Sequence, residues 1–79
     1  MNDVTDRLIR CFTAVFPTLD EAQIRHASTS SLGTWDSLAT INLVAIIEEE
    51  FGLQIALDEL EQMVSFELIL DYLQASHAS

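Results

Sequence analysis

Along the first sixteen residues, apolar side chains recur at Val4, Leu8, Cys11, Phe12 and Val15. That is the three- and four-residue spacing of a single helix face. It predicts a helix from about Asp3 to Phe16. Asp3 and Asp6 lie near its positive end, as the helix dipole prefers. Pro17 stops it, because the residue before a proline disfavours helical backbone. Residues 17–35 hold no sustained period. Asp20 is placed to cap a short turn through Ile24, and the stretch HASTSSLGT is small, polar and rich in breakers. A connection of this length is unusual in a small domain and often functional. Leu19, Ile24 and Leu32 are expected to pin it to the core.

From Ser37 to Phe51 the pattern becomes helical again. Leu38, Ile41, Val44, Ala45, Ile47 and Phe51 recur at three- and four-residue steps, and Leu43 and Ile46 widen the stripe beyond one face. A helix apolar on more than one side is expected to be central, with neighbours on several sides. EEEFG closes it, with Gly52 suited to a left-handed cap. Three glutamates at the negative end of a helix cost about a few tenths of a kcal/mol each. That misfit suggests a use for Glu48, Glu49 and Glu50 outside the fold. LQIAL, residues 53–57, reads as an extended connector. Asp58 is expected to cap a short third helix ending near Met63. Ser65 is expected to cap a fourth, to about Ala75, with Phe66, Ile69, Leu70 and Leu73 turned inward. The sum is an all-α domain: a small four-helix bundle with a long loop between helices 1 and 2 and a short third helix.

Composition narrows the class. The chain has 79 residues, 49% of them hydrophobic, with two Gly and one Pro. This favours one compact domain, residues 1–79, over a disordered tail. The single Cys11 excludes an internal disulfide. No signal segment or apolar run long enough to span a membrane is present, so the expected location is the cytoplasm. Thirteen acids face three bases, Arg7, Arg10 and Arg25, for a formal charge of −10. Nine of the acids follow Arg25, and no base does. Such a surface repels nucleic acid and anionic lipid and attracts basic partner patches. Acidity that merely keeps the protein soluble is the plainer reading.

Candidate chemistry centres on TWDSLATINLV, residues 34–44. Asp and Ser are preferred N-cap residues, so Asp36 and Ser37 suit any capped helix. A helix N-terminus also holds phosphate well, through free amides and the dipole. A phosphodiester on Ser37 suits that position, apart from repulsion by Asp36. A serine nucleophile needs a base and an orienting carboxylate. The only histidines are His26, in the polar loop, and His77, in the tail, and no glycine flanks Ser37 to form a nucleophile elbow. No spacing of Cys11 and the histidines makes a metal site, and EEE lacks the alternating ligands of a calcium loop. Trp35 is expected to plug the base of the long loop. Phe12, Phe16, Phe51 and Phe66 are large enough to fill any space between the helices.

LGTWDSL, followed by an apolar helix closing in EEEFGLQI, an acidic short helix and a last amphipathic helix, resembles an acyl carrier protein. The resemblance extends from the first helix to Leu73. It implies that Ser37 carries 4′-phosphopantetheine, added from coenzyme A by a phosphopantetheinyl transferase using Mg²⁺, with Asp36 and Leu38 framing the attachment point. The arm's thiol would hold acyl or aminoacyl groups as thioesters and present them to ligases, acyltransferases or synthases. The carrier itself, expected to be monomeric, would catalyse nothing and hold no metal. Carriers of fatty acid synthesis usually bear acids two and five positions after the serine. Here those positions are Ala39 and Asn42, and acidity is displaced to Glu48, Glu49 and Glu50 and to Asp58, Glu59 and Glu61. Charge placement steers partner choice. The resemblance therefore implies a specialised pathway (polyketide, nonribosomal peptide, cell-wall or lipid), as WDS with neutral early positions also resembles D-alanyl carrier proteins. The partner interface is expected at Trp35, Ala39, Ile41, Asn42, Glu48 and Glu49. The alternative from another class is an acidic helical interaction module without a covalent cofactor.

Overall fold

The structure is a computed structural model that describes residues 3–77. The side chains of Asp3, expected at the positive end of the first helix, and of His77, in the tail, lie outside the described residues. Five helical segments follow one another among the described residues: α1 (Asp3–Val15), α2 (Glu21–Arg25), α3 (Ser37–Phe51), α4 (Leu57–Leu60) and α5 (Phe66–His77). The fold is all-α as expected, with one segment more than the four predicted. The extra one is the turn after Asp20, which forms a full short helix. The Asp20 carboxylate accepts from the Gln23 amide at 2.8 Å and the Gln23 side chain accepts from the Asp20 amide at 2.9 Å. That reciprocal cap satisfies two orphan donors.

α1 packs against α2, α3 and α5, and α2 also touches α5. Leu8, Cys11 and Phe12 are buried as their spacing requires, and Phe16 continues their line just past the helix end. α1 stops at Val15, one residue short of the expected end, before Pro17. Three rings are contiguous around Phe12. Its centroid lies 5.2 Å from Phe66, 5.3 Å from Trp35 and 6.1 Å from Phe16. The edge-to-face contacts with Trp35 and Phe66 add to the area the rings bury.

The long connection is tied down by backbone bonds as well as side chains. Thr29 N–H donates to the Val64 carbonyl at 2.9 Å and Phe66 N–H to the Ala27 carbonyl at 3.0 Å, around an isolated antiparallel bridge between Ser28 and Ser65. Ile24 is buried; Leu19 and Leu32 pack partly buried against the core.

α3 buries less of its apolar surface than its pattern predicts. Its buried residues are Leu43, Val44, Ile47 and Phe51. Leu38 and Ile41, which share the apolar spacing of this helix and were expected at the attachment point and the partner interface, are 67% and 58% exposed, and Ala45 is also exposed. Among the described helices α3 packs chiefly against α1, which leaves the opposite side of its first turns in water. Gly52 closes the helix at φ 65°, in the left-handed region, as predicted.

The third predicted helix is also corrected. α4 begins two residues earlier than an Asp58 cap demands. Ala56 is the N-cap, with no side-chain bond of its own, and Asp58 sits in the first turn. Glu59 takes over part of the capping. Its Oε1 accepts from the Ala56 amide at 3.1 Å and from the Tyr72 hydroxyl at 3.0 Å. Ser65 does cap α5, accepting from the Leu68 amide at 3.1 Å.

Candidate functional site

Ser37 is the first residue of α3, and its side chain is exposed. The helix ladder begins only at Thr40, whose amide donates to the Asp36 carbonyl at 2.9 Å. One of the earlier amides, that of Ala39, is taken by Asp36 Oδ1 at 2.9 Å. A helix start leaves its first amides without intrahelical acceptors, with the positive end of the dipole behind them. No acid lies in the first turn. Asp36 is thus a true N-cap, with one carboxylate oxygen committed to the helix.

The segment before Ser37 is held by its neighbours. Trp35 Nε1–H donates to Thr40 Oγ1 at 2.9 Å, and the Thr40 hydroxyl donates to the Asp36 carbonyl at 3.1 Å. Trp35 N–H also donates to the Leu32 carbonyl at 3.0 Å. Trp35 is 3% exposed. It fills the structural role expected of a plug, and its burial withdraws it from the partner interface, where a partner would need its face.

Beside Ser37 lies an open groove of about 580 Å³. Ser37, Thr40 and Ile41 form one wall, and Leu57, Leu60 and Glu61 another, with Trp35 and Met63 between. Ile41, Leu57 at 80% exposure and Val64 give its rim an apolar surface in water. Thr40, Leu57, Leu60, Met63 and Val64 were not singled out from the sequence. One signal was available: a Thr four residues after an N-cap can bond back to the cap carbonyl. The groove's far wall depends on where α4 settles, which local spacing does not encode.

Ala39 is partly buried, and Asn42 is exposed on the same helix. The three glutamates part company. Glu48 is partly buried, and its Oε2 accepts from the Ile55 amide at 2.8 Å, holding the connector after α3. Glu50 Oε2 accepts from Arg7 Nε–H at 2.8 Å, and the Glu50 carbonyl accepts from the Arg7 guanidinium. The guanidinium carbon lies 4.4 Å from the Phe51 ring centroid. Two of the three charges expected to act outside the fold therefore serve it, by linking α3 to α1 and to the following connector. Only Glu49 is left exposed without such a contact.

His26 lines a separate small cavity with Arg25 and Ser65, away from the Ser37 groove. Among the described residues no three His, Cys, Asp or Glu side chains come together as a metal site. Cys11 is a buried free thiol on the apolar face of α1, pushed up to about 11 by burial first and the Glu50 charge second, against Arg7 and Arg10. No helix among the described residues is long and apolar enough to cross a membrane.

An exposed hydroxyl at a helix N-terminus, with free amides at its base and a groove alongside, fits a phosphate-linked group. Residues 6–73 match the family described as the phosphopantetheine attachment site. The chain belongs to that family. It is a carrier protein, and its covalent cofactor is 4′-phosphopantetheine.

Proposed function

We propose that this member of the phosphopantetheine attachment family carries its arm on Ser37, as a phosphodiester at the head of α3. One observation supports this above others: Ser37 is exposed at the first position of a long helix, on a backbone fixed by the Trp35–Thr40–Asp36 bonds. The helix start favours the phosphate electrostatically. Asp36 holds the turn, and Leu38, 67% exposed, offers the transferase an apolar contact one residue on. When bound, the arm supplies a thiol that holds an acyl or aminoacyl group as a thioester.

The chain's own part is to present and orient that group, without catalysing a step. Partner enzymes meet the outer face of α3, through Leu38, Ile41, Asn42 and Glu49, with Ala39 at its edge. This face has one acid, and positions 39 and 42 are neutral. Docking there draws on apolar contact more than on charge. We therefore place the carrier in a specialised pathway, with a ligase or acyltransferase loading it, rather than in general fatty acid synthesis. Fragmentation mass spectrometry of protein treated with coenzyme A, Mg²⁺ and a broad-specificity phosphopantetheinyl transferase tests the site. The modified peptide should carry the arm on Ser37. An arm on any other serine contradicts the assignment.

A further inference from the structure

The groove beside Ser37 is open above and closed below. Its floor is made by Trp35 and Met63, which line it while being 3% and 2% exposed. Trp35 is held on several sides. Its indole N–H donates to Thr40 Oγ1 at 2.9 Å. Its ring meets Phe12 edge-on at 5.3 Å and 86°, and Phe16 at 5.9 Å. Phe12 passes the contact on to Phe66 at 5.2 Å. Below the groove, then, four rings run without a break from the connection before α3 through α1 to α5.

An apolar chain tethered at Ser37 can enter the core through this floor only if Trp35 or Met63 moves, and of the two the indole is held by a hydrogen bond. Moving the indole would leave the N–H and the Thr40 oxygen without each other in the interior, where an unmade hydrogen bond costs more than a made one gains. It would also break the ring contacts with Phe12 and Phe16, and close-packed interiors resist insertion. Apolar contact within the groove, against Ile41, Leu57 and Val64, requires no such rearrangement.

We propose that Trp35 is a depth stop for the cargo. It confines whatever the arm carries to the open groove, and so suits this carrier to short or polar acyl groups rather than long chains that need enclosure. The inference rests on Ser37 as the attachment residue. Trp35 acts as a specificity-determining residue, with Thr40 positioning it.

The test loads wild-type protein with butyryl- or tetradecanoyl-phosphopantetheine from the corresponding coenzyme A thioesters, verifies each load by mass, and measures thioester cleavage by hydroxylamine. The two wild-type thioesters should be cleaved at rates within about twofold of each other, because neither is enclosed. In Trp35→Leu the long-chain thioester should become slower than the short one by about fivefold or more, as the floor opens. Thr40→Val, which frees the indole without emptying space, should shift the ratio the same way and carries the test if Trp35→Leu does not fold. Amide NMR shifts of Phe66 and Ile69 in wild type should be the same under both loads. Wild-type protection of the long chain by about tenfold, or core amides that move with it, would overturn the depth stop. So would a folded variant whose ratio matches wild type. Protein that accepts no arm at all overturns the attachment reading together with this one; protein that accepts it and encloses the long chain overturns this one alone.

Discussion

The indole N–H of Trp35 donates to the hydroxyl oxygen of Thr40 at 2.9 Å, across the N-terminus of α3. The same hydroxyl donates to the Asp36 carbonyl. Ser37 lies between the residues so joined, which fixes the backbone beneath an otherwise free side chain. Removing the acceptor leaves a buried donor unpaired. Thr40→Val should therefore cost about 1–3 kcal/mol in denaturant unfolding, and Thr40→Ser much less. Equal stability of Thr40→Val and wild type would show that the bond does not hold the segment.

Gly52 ends α3 at φ 65°, where a side chain is strained although nothing lies within 4 Å of its place. Gly52→Ala should destabilise by about 1–2 kcal/mol for conformational reasons alone. A thermal scan showing no loss would mean that the turn relaxes to another geometry.

Arg7 and Glu49 separate the structural from the free acidic charge. Arg7 bonds the side chain and carbonyl of Glu50 and lies over Phe51. Its ion pair is about a third open to water, so it contributes little, but the ring contact adds to it. Arg7→Ala should cost about 1 kcal/mol. Glu49→Gln should stay within about 0.5 kcal/mol of wild type, as exposed positions do. Similar urea midpoints for Arg7→Ala and Glu49→Gln would refute the division.

The Cys11 thiol is raised from its ordinary value of 9.0 to about 11, chiefly by burial. The folded chain thus keeps its proton where the unfolded chain has lost it. The stability this confers is complete below pH 9 and declines as pH rises from 9 towards 11. Unfolding free energy should fall more steeply across that window in wild type than in Cys11→Ala. Parallel slopes would contradict the burial account. At neutral pH the folded protein should leave a disulfide-based thiol reagent unreacted.

Much of this was legible in the sequence because local rules carried it. Val4 to Val15 announced α1, Asp20 its short successor, and Gly52 and Ser65 their caps. The resemblance carried by LGTWDSL and EEEFG led to the family that residues 6–73 match. What failed was non-local. α3 is apolar nearly all round, so spacing alone did not separate the buried side, with Leu43, from the side where Leu38, Ile41 and Ala45 face water. Glu48 and Glu50 looked surplus, since their partners, the Ile55 amide and Arg7, lie seven and forty-three residues away. Asp58 looked like a cap, but Glu59 fits the start of α4 by bonding both Ala56 and Tyr72. The groove walls combine residues from α3, α4 and the long connection, and only the fold brings them together.

Everything proposed for this carrier depends on Ser37 receiving the arm. The most direct test is the intact mass of wild-type and Ser37→Ala protein before and after incubation with coenzyme A, Mg²⁺ and a broad-specificity phosphopantetheinyl transferase. Wild type should gain one phosphopantetheine and Ser37→Ala none, with both proteins folded, since replacing Ser37 leaves the Asp36 cap in place. A gain on Ser37→Ala, or no gain on folded wild type with an active transferase, would contradict the assignment.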